Sequence, residues 1–128
     1  MITYKIESIG DVSFHEDFNP DTFKFRHEKF SEIIPEGSVA LDIGAHVGTF
    51  GLVFASCVGK EGKVIAFEPN PKTYNVMLEN IKNNPNFNID AHNLACTSET
   101  KKYTFNYSDP TLYNNGMNGG YFDELEYG

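Results

Sequence analysis

The most constraining feature of this sequence is a glycine-bearing turn between an apolar strand and an apolar helix. Val39 to Ile43 is almost entirely apolar, which is typical of a parallel strand covered on both faces. The turn Gly44-Ala45-His46-Val47-Gly48 follows. Thr49 to Val58 is then apolar on nearly every side and predicts a buried helix that ends at Gly59. A strand, a glycine turn and a helix in this order open a nucleotide-type βαβ unit.

The alternation of strands and helices continues downstream of this unit. Lys63 to Phe67 predicts a second buried strand. Asn70 and Pro71 mark the start of a helix that ends before Pro85. Alternating apolar residues then predict a third strand, from 87 to about 95. The order strand, helix, strand, helix, strand indicates the α/β class, with the βαβαβ half of a doubly wound parallel sheet.

Additional segments flank this core, and we expect the whole chain, 1–128, to be one domain. Alternating residues near the N-terminus predict a hairpin, and Asn19-Pro20-Asp21 predicts a helix start, so 1–35 is a hairpin and a helix. The core at 36–108 ends with an extra strand around Tyr103 to Tyr107. Residues 109–128 are acidic and rich in Gly and Asn, which predicts a loop-like tail.

Charge and composition narrow the class of partner. Ten basic residues stand against eighteen acidic ones, a net charge of −8, and the basic residues form no stripe, so nucleic acid is not expected as the main ligand. No apolar run approaches the roughly 20 residues of a membrane span, and the first residues do not resemble a signal peptide. We expect a cytoplasmic protein without a membrane partner, whose Cys57 and Cys96 are reduced core residues.

Two features of the sequence fall at the carboxyl ends of the predicted strands, where open α/β sheets bind ligands. Gly44 lets the backbone turn sharply and lets a ligand approach it, and Gly48 allows close packing of the following helix. Glu68 closes the second strand, where a carboxylate can accept hydrogen bonds from two vicinal ribose hydroxyls. Together they predict a site for a nucleoside-bearing cofactor.

The residue at the centre of the turn favours one such cofactor. Dinucleotide-binding turns have a second glycine that makes room for a pyrophosphate, and here that position is His46. S-adenosylmethionine has no phosphate and does not need this space. We therefore favour S-adenosylmethionine, and a nicotinamide-dependent oxidoreductase is the less favoured alternative.

The same residues resemble a known family. The stretch from Asp42 to Phe50, the run Phe67-Glu68-Pro69-Asn70-Pro71 and residues 89–95 are similar to the FkbM-type S-adenosylmethionine-dependent methyltransferases, over about 36–108. The resemblance implies a Rossmann-like class I methyltransferase fold. It also implies methyl transfer, usually to an oxygen of a small molecule or sugar.

The resemblance also implies which residues bind the cofactor. The methionine end would be lined by four residues of the turn, Gly44, Ala45, His46 and Gly48. Glu68 would hold the ribose, Pro69 and Asn70 would flank the adenine, and Asn93 would lie near the adenine edge. Asp42 and Phe50, at the two ends of the motif, complete the set of candidates. No catalytic residue is identified, and no metal is expected, since Asp90 and His92 have no third ligand at suitable spacing.

Alternatives remain for both the residues and the chain. Asp42 could bond only to backbone, Glu68 could be a solvated acid, and His46 could act only through its N–H group. The family continues with a further parallel strand carrying Asp-x-Glu-Gly, which this sequence lacks, so we expect a partial fold, as a fragment or a shortened relative. The first strand would then leave an uncovered edge open to self-association. A non-catalytic accessory module that binds the nucleoside is the alternative function.

Overall fold

The computed structural model describes residues 1–15 and 18–100, together with the backbone of two further strands at 102–107 and 121–126. The elements in chain order are β1 (Ile2–Ile6), β2 (Gly10–Phe14), α1 (Pro20–Ser31), β3 (Val39–Ile43), α2 (Thr49–Val58), β4 (Lys63–Phe67), α3 (Pro71–Lys82), β5 (Ile89–His92), β6 (Lys102–Tyr107) and β7 (Tyr121–Glu126).

The centre of the fold is a parallel sheet in the order β3-β4-β5, with α2 and α3 as the crossovers. Ile43 pairs with Phe67, and Phe67 pairs with His92, so the three strands end side by side. The predicted α/β fold with a βαβαβ core is confirmed. Because the strands end together, the segments that follow them meet at one edge of the sheet.

The N-terminal hairpin is also confirmed. β1 and β2 pair antiparallel, with Ile2 opposite Phe14 and Ile6 opposite Gly10. The hairpin, α1 and α2 share one core, whose buried members are Ile6, Val12, Phe14, Phe23, Leu52 and Val53. The hairpin and α1 are therefore packed onto the nucleotide-type unit.

One face of the central sheet differs from the prediction. Ala40, Val64 and Ala66 pack in the clusters that involve α2 and α3. On the opposite face of β3, Val39, Leu41 and Ile43 are 62%, 57% and 62% exposed. The expectation that this strand is covered on both faces is wrong for the part of the chain that the structure describes, because the described helices pack on one side only.

Three smaller predictions also need correction. The third strand ends at His92 rather than near 95, because the chain leaves the sheet at Asn93. The tail is not loop throughout: β7 pairs antiparallel with β6, apart from the central sheet, and the acidic residues of this segment had obscured its Tyr-Phe strand signal. Cys57 is buried as predicted, whereas Cys96 is exposed.

In the described segments, none of the helices has the length and apolar character needed to cross a membrane.

Candidate functional site

A cavity of about 450 Å³ lies beside the carboxyl ends of the central strands. Its volume falls in the range of roughly 300–1,000 Å³ that is usual for small-molecule sites. Its lining residues follow the three strands: Ile43, Gly44, Glu68, Pro69, Leu94, Ala95, Cys96 and Thr97. The cavity thus joins the glycine turn, the acid after β4 and the segment after β5, as expected of a ligand site in an open α/β sheet.

The glycine turn is held against the end of β4. The N–H groups of Gly44 and Ala45 both donate to the carbonyl oxygen of Phe67, at 2.9 and 2.8 Å. Gly44 has φ +75°, and a Cβ there would have no neighbouring atom within 4 Å, so the backbone faces open space. Gly48 has φ +91°, and a Cβ there would lie 3.0 Å from Cγ of Met77. One glycine therefore keeps the turn accessible, and the other lets it pack on α3.

His46 occupies an unusual backbone conformation in the middle of the turn. Its φ is +56°, a left-handed value that few residues other than glycine adopt, and the residue is exposed. Its backbone N–H donates to the carboxylate of Glu68. This contact supports the alternative in which His46 acts through its backbone, and the side chain stands where a dinucleotide turn would have a glycine.

Glu68 is a buried carboxylate that is only partly satisfied. It is 7% exposed and accepts hydrogen bonds from the backbone N–H groups of Asn70 and His46, but its Oε2 atom has no partner. Burial raises the pKa of Glu68 to about 7, the nearby charge of Asp42 raises it further, and the two N–H groups oppose the shift. Glu68 is therefore not a solvated surface acid.

Asp42 lies at the end of β3 in a similar state. It is 8% exposed, its carboxylate accepts a hydrogen bond from the N–H of Gly51, and its Oδ2 atom has no partner. Burial raises the pKa of Asp42 above its usual value. Within residues 1–15 and 18–100, Asp42 Oδ2 and Glu68 Oε2 are the buried side-chain oxygens or nitrogens without a hydrogen-bond partner. Such atoms are rare in folded proteins, and they favour a ligand that brings hydrogen-bond donors or positive charge.

Of the remaining candidates from the sequence, Pro69, Asn70 and Asn93 lie at or beside the cavity, and Phe50 does not. Pro69 lines the cavity, and Asn93 Nδ2 donates to the carbonyl oxygens of Glu68 and Pro69, at 2.8 and 3.0 Å. Asn70 is buried and caps α3, where its Oδ1 accepts from two backbone N–H groups. Phe50 lies elsewhere: its ring packs against α1, with the Arg26 guanidinium carbon 4.6 Å from its centroid.

Sequence reasoning missed part of the cavity wall. Residues 94–97 line it, yet the alternation that begins at residue 87 predicts a third strand that includes two of these four residues. No local pattern indicates this wall, because the side chain of Asn93, which precedes it, bonds the carbonyl oxygens of Glu68 and Pro69, 25 and 24 positions earlier in the chain. No group of three or more His, Cys, Asp or Glu side chains suited to a metal occurs in the described part of the chain.

The described part of the chain has a portion of the Rossmann-like fold of class I S-adenosylmethionine methyltransferases. The chain is similar to an S-adenosylmethionine-dependent O-methyltransferase from Thermotoga maritima, with a TM-score of 0.52, 20% identity, and coverage of 67% of this chain and 33% of that one. A candidate rRNA methylase from Clostridium thermocellum gives a TM-score of 0.50, 17% identity, and coverage of 62% and 44%. A SAM-dependent methyltransferase from Aquifex aeolicus gives a TM-score of 0.48 and 21% identity, with coverage of 72% of this chain and 53% of that one.

The family follows from the sequence. The profile of the methyltransferase FkbM domain matches residues 42–126, and the chain belongs to this family. The match begins at Asp42 and extends beyond the 36–108 expected from the motifs, through β7. The chain spans about a third to a half of the length of the three solved proteins named above. A comparison with the curated proteins gives no significant match.

Proposed function

We propose that this chain is the cofactor-binding part of an S-adenosylmethionine-dependent methyltransferase. The observation that carries the proposal is the pair of buried, unpartnered carboxylate oxygens, Asp42 Oδ2 and Glu68 Oε2, beside an open glycine turn. S-adenosylmethionine has ribose hydroxyls and an ammonium group, which donate hydrogen bonds to carboxylates, and a sulfonium, whose positive charge a carboxylate attracts. Membership of the FkbM methyltransferase family supports the same ligand.

The residues of the cavity fit such a ligand in order along the sheet. Glu68 Oε2 is free to accept from ribose hydroxyls while the Asn70 and His46 N–H groups hold the carboxylate in place. Gly44 leaves its backbone open to the methionine end, and Asp42 supplies negative charge nearby. The adenine end would meet Pro69 and residues 94–97, which make most of the wall apolar.

The chemistry of this proposal rests on positioning. S-adenosylmethionine, when bound, supplies a methyl group that is already activated by its sulfonium. The chain's own residues bind and orient the cofactor. Glu68 and Asp42 supply hydrogen-bond acceptors and negative charge, and the turn from Gly44 to Gly48 lets the cofactor approach the backbone. No described residue is assigned as a general base.

We further propose the class of methyl acceptor. An oxygen of a small molecule or sugar suits a chain of net charge −8, whose charge would repel the backbone of a nucleic acid. We also propose a cytoplasmic location, on the sequence features given above: no apolar run of membrane-spanning length, and first residues unlike a signal peptide. Self-association through the uncovered edge of β3 is also part of the proposal, because β3 pairs only with β4 among the described strands and its residues Val39, Leu41 and Ile43 form an exposed apolar row.

Cys96 provides a direct test of the cavity. It is an exposed free cysteine in the cavity wall, whereas Cys57 is buried and serves as an internal control. We expect S-adenosylhomocysteine to protect Cys96 from alkylation by N-ethylmaleimide and NAD to leave it reactive, as followed by peptide mass spectrometry. Equal labelling with and without S-adenosylhomocysteine would contradict the assignment of this cavity.

A transfer assay tests the activity itself. The purified chain is incubated with methyl-labelled S-adenosylmethionine and mixtures of sugars and hydroxylated small molecules, with RNA as the comparison acceptor. Label transferred to an oxygen of a small molecule supports the full proposal, and transfer to RNA contradicts the acceptor class. Binding without transfer to any acceptor would favour the non-catalytic accessory module.

A further inference from the structure

We infer that Asn80 is a positioning residue through which the N-terminal hairpin sets the geometry of the glycine turn. The inference rests on the proposed function, since the property it affects is cofactor affinity. The hairpin, β1 and β2, precedes residue 42, where the family match begins. It would therefore be a part of the chain outside the matched domain that acts on the site.

The contacts of Asn80 join the two elements directly. Asn80 lies on α3 and is completely buried. Its Nδ2 donates to the carbonyl oxygen of Val47 at 2.8 Å, inside the turn. Its Oδ1 accepts from the N–H of His15 at 2.9 Å, immediately after β2, and its Nδ2 also lies 3.1 Å from Nδ1 of that histidine. One amide thus bonds the hairpin and the turn at the same time.

The contact with Val47 falls where the turn needs support. His46, the preceding residue, has φ +56°, a left-handed conformation that is unfavourable for a residue other than glycine unless its surroundings hold it. On one side of it, the His46 N–H is bonded to Glu68. On the other side, the Val47 carbonyl is bonded to Asn80, while Met77 of the same helix packs on Gly48. Loss of the Asn80 contact frees one side of the strained residue, and with it the N–H that orients Glu68.

Asn84 provides a matched control within the same helix–hairpin junction. It is also buried, and its amide bonds the backbone of Ser13 through both atoms, with Oδ1 accepting at 2.8 Å and Nδ2 donating at 2.6 Å. Its Nδ2 also donates to the carbonyl oxygen of Asn80, at 2.7 Å. None of these hydrogen bonds reaches the turn from Gly44 to Gly48. Asn84 therefore fastens the hairpin to α3, but it lacks the direct bond to the turn.

The first test compares Asn80→Ala with Asn84→Ala in the 128-residue chain. Both variants should melt at a lower temperature, because each loses buried hydrogen bonds to the hairpin. Binding of S-adenosylhomocysteine is measured by calorimetry at a temperature where both remain folded. We expect the dissociation constant to rise about tenfold for Asn80→Ala and to change less than threefold for Asn84→Ala. Equal changes in the two variants would overturn the positioning role.

The second test separates the two bonds of Asn80. Asn80→Asp keeps an acceptor for the His15 N–H but, once its new carboxyl is ionised, has no donor for the Val47 carbonyl. We expect the ratio of the variant's dissociation constant to that of the wild type to grow between pH 5.5 and pH 8.5. A ratio that keeps its pH 5.5 value up to pH 8.5 would contradict the inference.

Hydrogen exchange on the wild type keeps the inference testable if the variants do not fold. Saturation with S-adenosylhomocysteine should slow exchange of the His15 N–H by a larger factor than that of the Ser13 N–H, which is bonded to Asn84. Equal factors would overturn the inference and leave the proposed function intact. A wild-type chain that binds no S-adenosylhomocysteine would overturn both.

Discussion

At the scale of single residues, Glu68 couples the stability of the free protein to its affinity for ligand. Because its pKa is raised to about 7 in the folded chain from an ordinary value near 4.5, the folded state holds a proton that the unfolded state releases. The free energy of unfolding should therefore fall as pH rises through this window, by at most about 3 kcal/mol. Ligand donors favour the ionised carboxylate, so affinity should change in the opposite direction.

Glu68→Gln tests this coupling. The amide cannot ionise, so at pH 8 the variant should unfold at a higher temperature than the wild type in the absence of ligand. Its affinity for S-adenosylhomocysteine should fall at least tenfold, since a charge-assisted bond contributes about 1.5–3 kcal/mol. Calorimetry and thermal melts measure the two effects. Glu61→Gln, at an exposed position in the turn before β4, is the control and should change neither the unfolding temperature nor the affinity. Unchanged affinity in Glu68→Gln would remove Glu68 from the site.

Gly44→Ala tests whether the turn must stay open, with Gly37→Ala as its control. Both glycines have positive φ, +75° and +85°, and neither has an atom within 4 Å of the added Cβ. The strain should be similar, about 1–2 kcal/mol, and should lower both melting temperatures to a similar extent. Only Gly44→Ala should weaken S-adenosylhomocysteine binding, because Gly37 lies before β3 at the far end of the sheet. Equal affinities in the two variants would make the turn merely structural.

At the scale of elements, two helices begin with the same type of cap, but only one of them begins next to the candidate site. Asn19 caps α1 and Asn70 caps α3, and each side chain accepts from two backbone N–H groups. Replacement of either by Ala should lower the free energy of unfolding by about 1 kcal/mol in denaturant titrations. Only Asn70→Ala should also lower ligand affinity, because the lost cap holds in place the backbone whose N–H bonds Glu68. Loss of affinity in Asn19→Ala as well would indicate a general effect of stability.

The elements also show how far the sequence could predict the structure. The strands β3 and β4 and the cap of α3 follow from local apolar runs and from Asn-Pro, signals that are complete within a few residues. The role of Asn80 could not be found in this way, since its partner His15 is 65 positions distant. The exposed face of β3 was missed for the same reason: an apolar run shows that a strand suits burial, but the elements that cover it lie elsewhere in the chain.

At the scale of the whole molecule, the exposed row on β3 should determine association. Leu41 lies in the middle of that row and is 57% exposed, whereas Ile33 is 73% exposed but lies outside the sheet. We expect the wild type to self-associate in light scattering across a concentration series, despite its net charge of −8. Leu41→Lys should abolish association, and Ile33→Lys, with the same change of charge, should not. A wild type that stays monomeric at high concentration would contradict this expectation.

Calorimetry at pH 7 in two buffers of different ionisation enthalpy tests whether the chain binds S-adenosylmethionine through Glu68. We expect saturable binding of S-adenosylmethionine and S-adenosylhomocysteine, no binding of NAD, and release of a fraction of a proton as Glu68 ionises on binding. Proton release should vanish in Glu68→Gln. Binding of NAD in preference to S-adenosylhomocysteine, or S-adenosylhomocysteine binding whose heat is the same in both buffers, would contradict cofactor binding through Glu68.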